Sequence, residues 1–289
     1  MEPLKLPYRI LGAKVGSPYL VTLAGFPDDE FSGFKSILLE FSSTHRIVAM
    51  CIPGFSYRLG SGPDSLPRWG YGLGALREAM HETFAAVCEE EEAFNQGYTL
   101  VVHDWGSALG LLYATKYPER IKEIISFDVG IMDTISLRNK IVIMFYQLWF
   151  CASYFVAMTI SRWVGQAMLM FFAIILMPLV GPCPHDSLQR PIQEVDVRYC
   201  YMYWNFYFGR GGVLRGGLSD TLKARFPSVP IFFMYGSKKN AQFHGPKFIK
   251  KIKETPGCRV KSYDDVGHWL QESKHKDEIM KDMRDFMRN

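Results

Sequence analysis

Short apolar runs alternate along this chain with longer segments of helical period. Tyr19–Leu23, Arg46–Ile52, Tyr98–Val102, Lys122–Phe127, Ile231–Tyr235 and Arg259–Tyr263 are each bounded by Gly, Pro, Asp or charge and read as strands. Gly74–Phe94 and Gly106–Tyr117 between them read as helices. Near-continuous apolar strands interleaved with helices predict a mostly parallel sheet with helices on both faces. Ligands of such sheets bind at the carboxyl ends of the strands. The alternation stops after Val129 and resumes near Val229, so the stretch between reads as a helical insertion.

That insertion holds a local anomaly. From Ile141 to His185, a run of 45 residues, Arg162 is the single Asp, Glu, Lys or Arg. A polar patch, Pro184–Pro191, and an aromatic cluster, Tyr199–Phe208, follow it. Ile141–Ser161 and Trp163–His185 each reach the roughly 20 residues of a membrane-spanning helix. Gln147, Ser153, Thr159, Gln166 and Pro178 interrupt them. Two readings stand: a transmembrane hairpin turning at Arg162, or a lid over an apolar pocket whose oily outer face rests on membrane.

Composition narrows the class. With 48% apolar, 15% aromatic and 21% charged residues in 289, the chain can bury a full core. A net charge of +4 without a basic tract argues against nucleic acid as a partner. The six cysteines show no CxxC spacing, which favours thiols in a reducing compartment over a disulfide or zinc framework. The first residues contain an early acid and two prolines and no apolar secretory core, so a cytoplasmic address is expected.

The chemistry concentrates at Thr99-Leu-Val-Val-His-Asp-Trp-Gly-Ser-Ala-Leu-Gly, a strand running through a tight turn into a helix. A turn that lifts a nucleophile above a sheet needs small residues on either side, and Val102 and Gly106 flank Asp104. A carboxylate at a helix N-terminus is held ionised by the helix dipole. It can therefore attack an sp³ carbon without a base to activate it.

His103-Asp104-Trp105-Gly106 resembles the elbow of the α/β-hydrolase superfamily, in its epoxide hydrolase and haloalkane dehalogenase branch. Ala24-Gly25-Phe26-Pro27 is similar to that branch's His-Gly-Phe-Pro loop, and Gly267-His268-Trp269 to its C-terminal Gly-His-Trp segment. Phe145-Tyr146-Gln147-Leu148-Trp149-Phe150 and Asn205-Phe206-Tyr207 look like its two lid segments. The resemblance implies an α/β-hydrolase core at residues 1–134 and 212–289 with a helical lid at 135–211. Because the charge-poor run begins inside a lid-like motif, the lid is preferred to the membrane hairpin.

The resemblance also implies roles. Asp104 would be the nucleophile and His268 the base that drives water onto the resulting ester. Backbone N–H groups of Phe26 and Trp105 would form the oxyanion hole. Tyr146 and Tyr207 would protonate the opening epoxide, while Tyr154, Tyr199, Tyr201 and Tyr203 are read as packing. Trp105, Trp149 and Trp269 are expected to line the pocket of a lipophilic substrate. No cofactor or metal is expected.

The base needs a carboxylate to orient it, and here the chain departs from the usual pattern. Where an acid commonly follows the strand Ile231–Tyr235, this chain has Ser237-Lys238-Lys239-Asn240. Asp128, at the end of an earlier strand, is the expected acid, with Asp264 or Asp265 as the fallback. Two further readings remain open: a hydrolytic dehalogenase using the Trp105 indole, and a ligand-binding protein with a degenerate triad.

Overall fold

The computed structural model describes residues 3–183, 189–215 and 226–288. Pro184, His185 and most of the polar patch that follows lie outside the described residues. Strands β1 (Tyr8–Gly12), β2 (Tyr19–Leu23), β3 (Arg46–Met50), β4 (Tyr98–His103), β5 (Ile121–Phe127), β6 (Ile231–Gly236) and β7 (Arg259–Tyr263) form one sheet in the order β1-β3-β2-β4-β5-β6-β7. All pairings are parallel except that of β1 with β3. The mostly parallel α/β architecture expected from the sequence is therefore present, and the six expected strands are in it.

β1 was not legible. It is an edge strand, and none of its five residues is fully buried, so Tyr8-Arg-Ile-Leu-Gly carries no continuous apolar signal.

Helices α1 (Lys35–Phe41), α2 (Leu73–Glu90) and α3 (Trp105–Lys116) precede the insertion. It contributes α4 (Leu137–Thr159), α5 (Arg162–Phe171), α6 (Met177–Val180) and α7 (Tyr201–Tyr207), and α8 (Pro246–Glu254) and α9 (Lys276–Met287) follow. The two-residue period of the strands sorts the core into two layers. Val21, Val48, Leu100, Val102 and Phe233 pack with α2, α3 and α8. Leu20, Ile47, Val101, Ile125 and Phe232 pack with α1 and α9.

Helix α4 starts at a Ser136 cap, whose hydroxyl accepts from the Asn139 N–H at 3.2 Å. It buries Ile143, Tyr146, Gln147, Phe150, Tyr154 and Ala157, a stripe at helical spacing, against the rest of the molecule. Helix α5 returns along it and touches it at Gly165. A Cβ there would lie 2.5 Å from both Ala157 Cβ and the Ser153 carbonyl. A π turn, Phe172–Leu176, leads on into α6. The apolar run thus forms a helical roof facing the carboxyl end of β4.

Candidate active site

The turn between β4 and α3 places Asp104 at φ +54°, ψ −126°, a strained conformation for a residue with a side chain. Two glycines make room for it. A Cβ on Gly106 would meet the Leu23 carbonyl oxygen at 2.0 Å, and one on Gly25 would lie 2.3 Å from Asp104 Oδ2. The chain thereby brings the loop after β2 onto the elbow. The Phe26 N–H donates to Asp104 Oδ2 at 2.7 Å, and the Trp105 backbone N–H favours the charged form of the same carboxyl. The two expected oxyanion-hole donors converge on one side chain.

Asp104 Oδ1 lies 3.4 Å from His268 Nε2. On the other side of the ring, Nδ1 donates to Asp128 Oδ2 at 2.6 Å. Asp264 and Asp265 do not approach the imidazole: Asp264 accepts from the Ser237 hydroxyl at the surface, and Asp265 lies 3.9 Å from Lys274. The carboxylate that reaches His268 is that of Asp128. The buried His103 Nε2–H donates to the His268 carbonyl at 3.0 Å and so holds the backbone of the base.

Lys239, read from the sequence only as a residue unable to serve as the acid, lies against that acid instead. Its ammonium pairs with Asp128 Oδ1, and both side chains are fully buried. The Gly236 N–H adds a bond at 3.3 Å. No local pattern announces this contact, because it joins positions 111 apart in sequence.

These charges set one another. Burial pushes the Asp104 carboxyl up, but the hydrogen bond and charge of His268 hold it below its ordinary value. Burial likewise raises Asp128, and Lys239 and His268 outweigh it, leaving that carboxyl far below the usual range. Burial lowers His268, yet its hydrogen bonds to Asp104 and Asp128 carry it from 6.5 to about 10. The resting cluster is two carboxylates and two cations in balance.

A further buried carboxylate, Asp28, was missed by the sequence reading. Its Oδ2 accepts from the Trp269 indole at 2.7 Å and its Oδ1 from Ser32 at 2.9 Å. Burial and the charge of Asp104 nonetheless raise it to about 6. Asp28 fixes Trp269 beside His268.

Two cavities meet over the elbow and share Asp104, Tyr146 and Phe243. One continues past Trp105, Leu111 and Phe206. The other runs under Phe26, Tyr203 and Trp269 to Ala173 and Met177 of the roof. The Tyr146 hydroxyl accepts from Gln147 at 3.1 Å, which leaves its own proton for the cavity.

Tyr207 and Trp149 lie elsewhere than expected. The Tyr207 hydroxyl donates to Gln147 at 2.6 Å, and its ring does not line either cavity. The phenol that joins Tyr146 at the cavity is Tyr203, one helical turn earlier on α7. The Trp149 indole donates to the Met168 carbonyl at 2.9 Å, which turns it to α5 at the edge of the stripe that buries Tyr146. The Trp105 ring packs edge-on against Tyr203, with centroids 5.1 Å apart.

Comparison with known proteins agrees with this architecture. No protein-family model matches the chain. A cis-3-alkyl-4-alkyloxetan-2-one decarboxylase from Shewanella oneidensis is 25% identical over 212 residues, which cover 66% of this chain and 60% of that protein. Epoxide hydrolase 4 from Homo sapiens is 29% identical over 125 residues, 42% of this chain and 30% of its own length. The chain thus matches less than two thirds of either relative. An epoxide hydrolase structure from Bacillus megaterium superposes with a TM-score of 0.65 at 20% identity, covering 98% of this chain and 97% of that one. A haloalkane dehalogenase variant from Bradyrhizobium elkanii gives 0.64 at 17% identity, covering 96% and 91%. The fold is that of the α/β-hydrolases, and the resemblance read from the motifs points to the same branch.

Proposed function

We propose that this α/β-hydrolase-fold protein hydrolyses a lipophilic epoxide to a diol through an ester on Asp104. The observation that carries the reading is the hydrogen-bonded line from Asp128 through His268 to Asp104, set beneath the Tyr146 hydroxyl.

Asp104 Oδ1, the oxygen turned to His268 rather than to Phe26, attacks a ring carbon. The carbon–oxygen bond breaks, and the leaving oxygen takes the Tyr146 proton, with Tyr203 as the second phenol facing the cavity. Tyr207 acts at one remove, by fixing Gln147.

Esterification removes the charge of Asp104, and with it much of what keeps His268 protonated. Lys239 already balances Asp128, which leaves Asp28, bonded to the Trp269 indole rather than to the imidazole, to favour the imidazolium. His268 gives its proton back to the Tyr146 phenolate and becomes a base. It then takes a proton from water as that water adds to the ester carbonyl, whose oxyanion the Phe26 and Trp105 N–H groups receive. Collapse releases the diol and restores the Asp104 carboxylate and the His268 imidazolium.

The dehalogenase reading is weaker because Tyr203 engages the Trp105 indole and Phe26 offers the cavity an apolar ring. The Shewanella relative is named for an oxetan-2-one, also a strained oxygen ring, so such a compound belongs in the test. His268→Gln incubated with an aryl epoxide should gain the mass of that epoxide on Asp104, while the unsubstituted protein releases diol. Halide release from a haloalkane without diol formation from any epoxide would overturn this choice. Consumption of an alkyl oxetan-2-one alone would also overturn it. Ligand binding with neither adduct nor turnover would favour a binding protein.

A further inference from the structure

The roof has an outer face that nothing among the described residues covers. Trp163 is 86% exposed, Leu179 71% and Ile174 57%, and α4 adds Ile141, Phe145 and Leu148. The two stripes meet at half-buried Trp149, whose ring lies 6.4 Å from exposed Phe145 and 6.0 Å from exposed Phe171. A contiguous apolar surface of this kind marks an interaction site.

We propose that this outer face docks on an anionic lipid bilayer, and that lipophilic substrate passes from the lipid under α6 to Asp104. Three observations select lipid as the occupant. First, between Asp133 and Asp186 the sequence holds no acid, while Arg138 and Lys140 lie exposed at the start of α4. An apolar face edged by cations matches an anionic membrane surface. Arg162, at the turn between α4 and α5, is already paired with Asp196 at 2.6 Å.

Second, the surface continues into the site. Ala173, Met177 and Pro178 line the cavity that ends at Asp104 and His268, while Ile174 and Leu179, their neighbours in sequence, face outward. One helical layer separates the outside from the elbow, and it is apolar on both sides.

Third, the hairpin is tied down in a way that makes it lie on a bilayer rather than cross one. The Tyr154 hydroxyl donates to the Arg68 carbonyl at 2.8 Å, and Arg68 donates to the Met158 carbonyl at 2.9 Å. Gln147 bridges Tyr146 and Tyr207. Drawing α4 into hydrocarbon would strip these polar groups of their partners.

The test is co-sedimentation of the full chain with phosphatidylcholine vesicles made with and without phosphatidylserine. The protein should sediment with both and more strongly with phosphatidylserine. Combined Trp163→Gln, Ile174→Gln and Leu179→Gln should weaken partitioning more than roughly tenfold on either vesicle. Arg138→Ala with Lys140→Ala should cost about fivefold per cation on phosphatidylserine vesicles and little on phosphatidylcholine alone. Absence of vesicle binding by the folded protein would overturn the proposal. So would a dimer in vesicle-free solution that the triple variant abolishes while vesicle binding is absent, since a second copy would then be the occupant. The readout is sedimentation, so the docking stands or falls independently of the epoxide chemistry, on which the passage of substrate to Asp104 rests.

Discussion

The floor and the roof of the pocket are built on opposite plans. In the floor, supplied by the sheet, charge is buried and the triad charges are paired: Asp104 with His268, and Asp128 with both His268 and Lys239. In the roof, Arg162 is the one charge of α4 and α5 beyond Lys140, and the buried face of α4 carries its polar groups at Tyr146, Gln147 and Tyr154. The floor tolerates little change, because an unpaired charge in a low-dielectric site is costly. The outer roof has no such constraint. The difference teaches that the sheet termini hold the paired charges, while the insertion supplies an apolar cover over them.

The comparison breaks most visibly if the floor is neutralised. Asp104→Asn should reduce diol formation by roughly 10⁴-fold or more, with no adduct in the intact mass. Asp128→Asn should cost about 10³–10⁴-fold in turnover. It should also lower stability, by about 3–5 kcal/mol in a denaturant melt, because Lys239 is left buried without its partner. Unchanged turnover in that variant would remove Asp128 from the mechanism.

In the roof, Tyr146→Phe should cost roughly 10²-fold, and Tyr207→Phe distinctly less, since that phenol acts through Gln147. An equal loss in both would place Tyr207 at the reacting oxygen instead.

Lys239→Met tests the charge balance. Without the ammonium, the full charge of Asp128 acts on the imidazolium and favours it. The pH midpoint for ester hydrolysis in single-turnover kinetics should then move upward, while the rate of ester formation changes less. A downward shift would refute the role assigned to Lys239.

The folded-state value of His268 is raised, so it contributes stability that is fully present below about 6.5 and lost as pH rises through about 10. The melting temperature should therefore fall across that window, and His268→Gln should flatten the fall. The smallest effect is expected at the outer roof, where Ile174→Gln should change stability by no more than about 0.5 kcal/mol. A large loss there would mean that the face is covered within the protein.

Much of this plan was legible before the fold was known. Periodicity located six strands, the glycine after Asp104 announced the elbow, and His268 stood in a recognisable Gly-His-Trp segment. Asp128 could be named as the acid, although Asp264 and Asp265 stayed open until distances separated them. Tyr203 was hidden among neighbouring tyrosines, since composition does not say which turn of α7 faces inward. Asp28 gave no signal either, being one of two adjacent aspartates in a loop.

What the chain determines by itself is therefore local: the apolar period of each element, the small residues that permit a strained turn, and the absence of charge across the roof. These follow from backbone sterics and burial, which act between near neighbours. Tertiary structure alone decided which partners the buried charges have. Lys239 answers Asp128 from across the sheet, and Tyr203 rather than Tyr207 reaches the cavity. Electrostatic pairing and cavity lining depend on distances between elements far apart in sequence, and only the closed fold sets those distances.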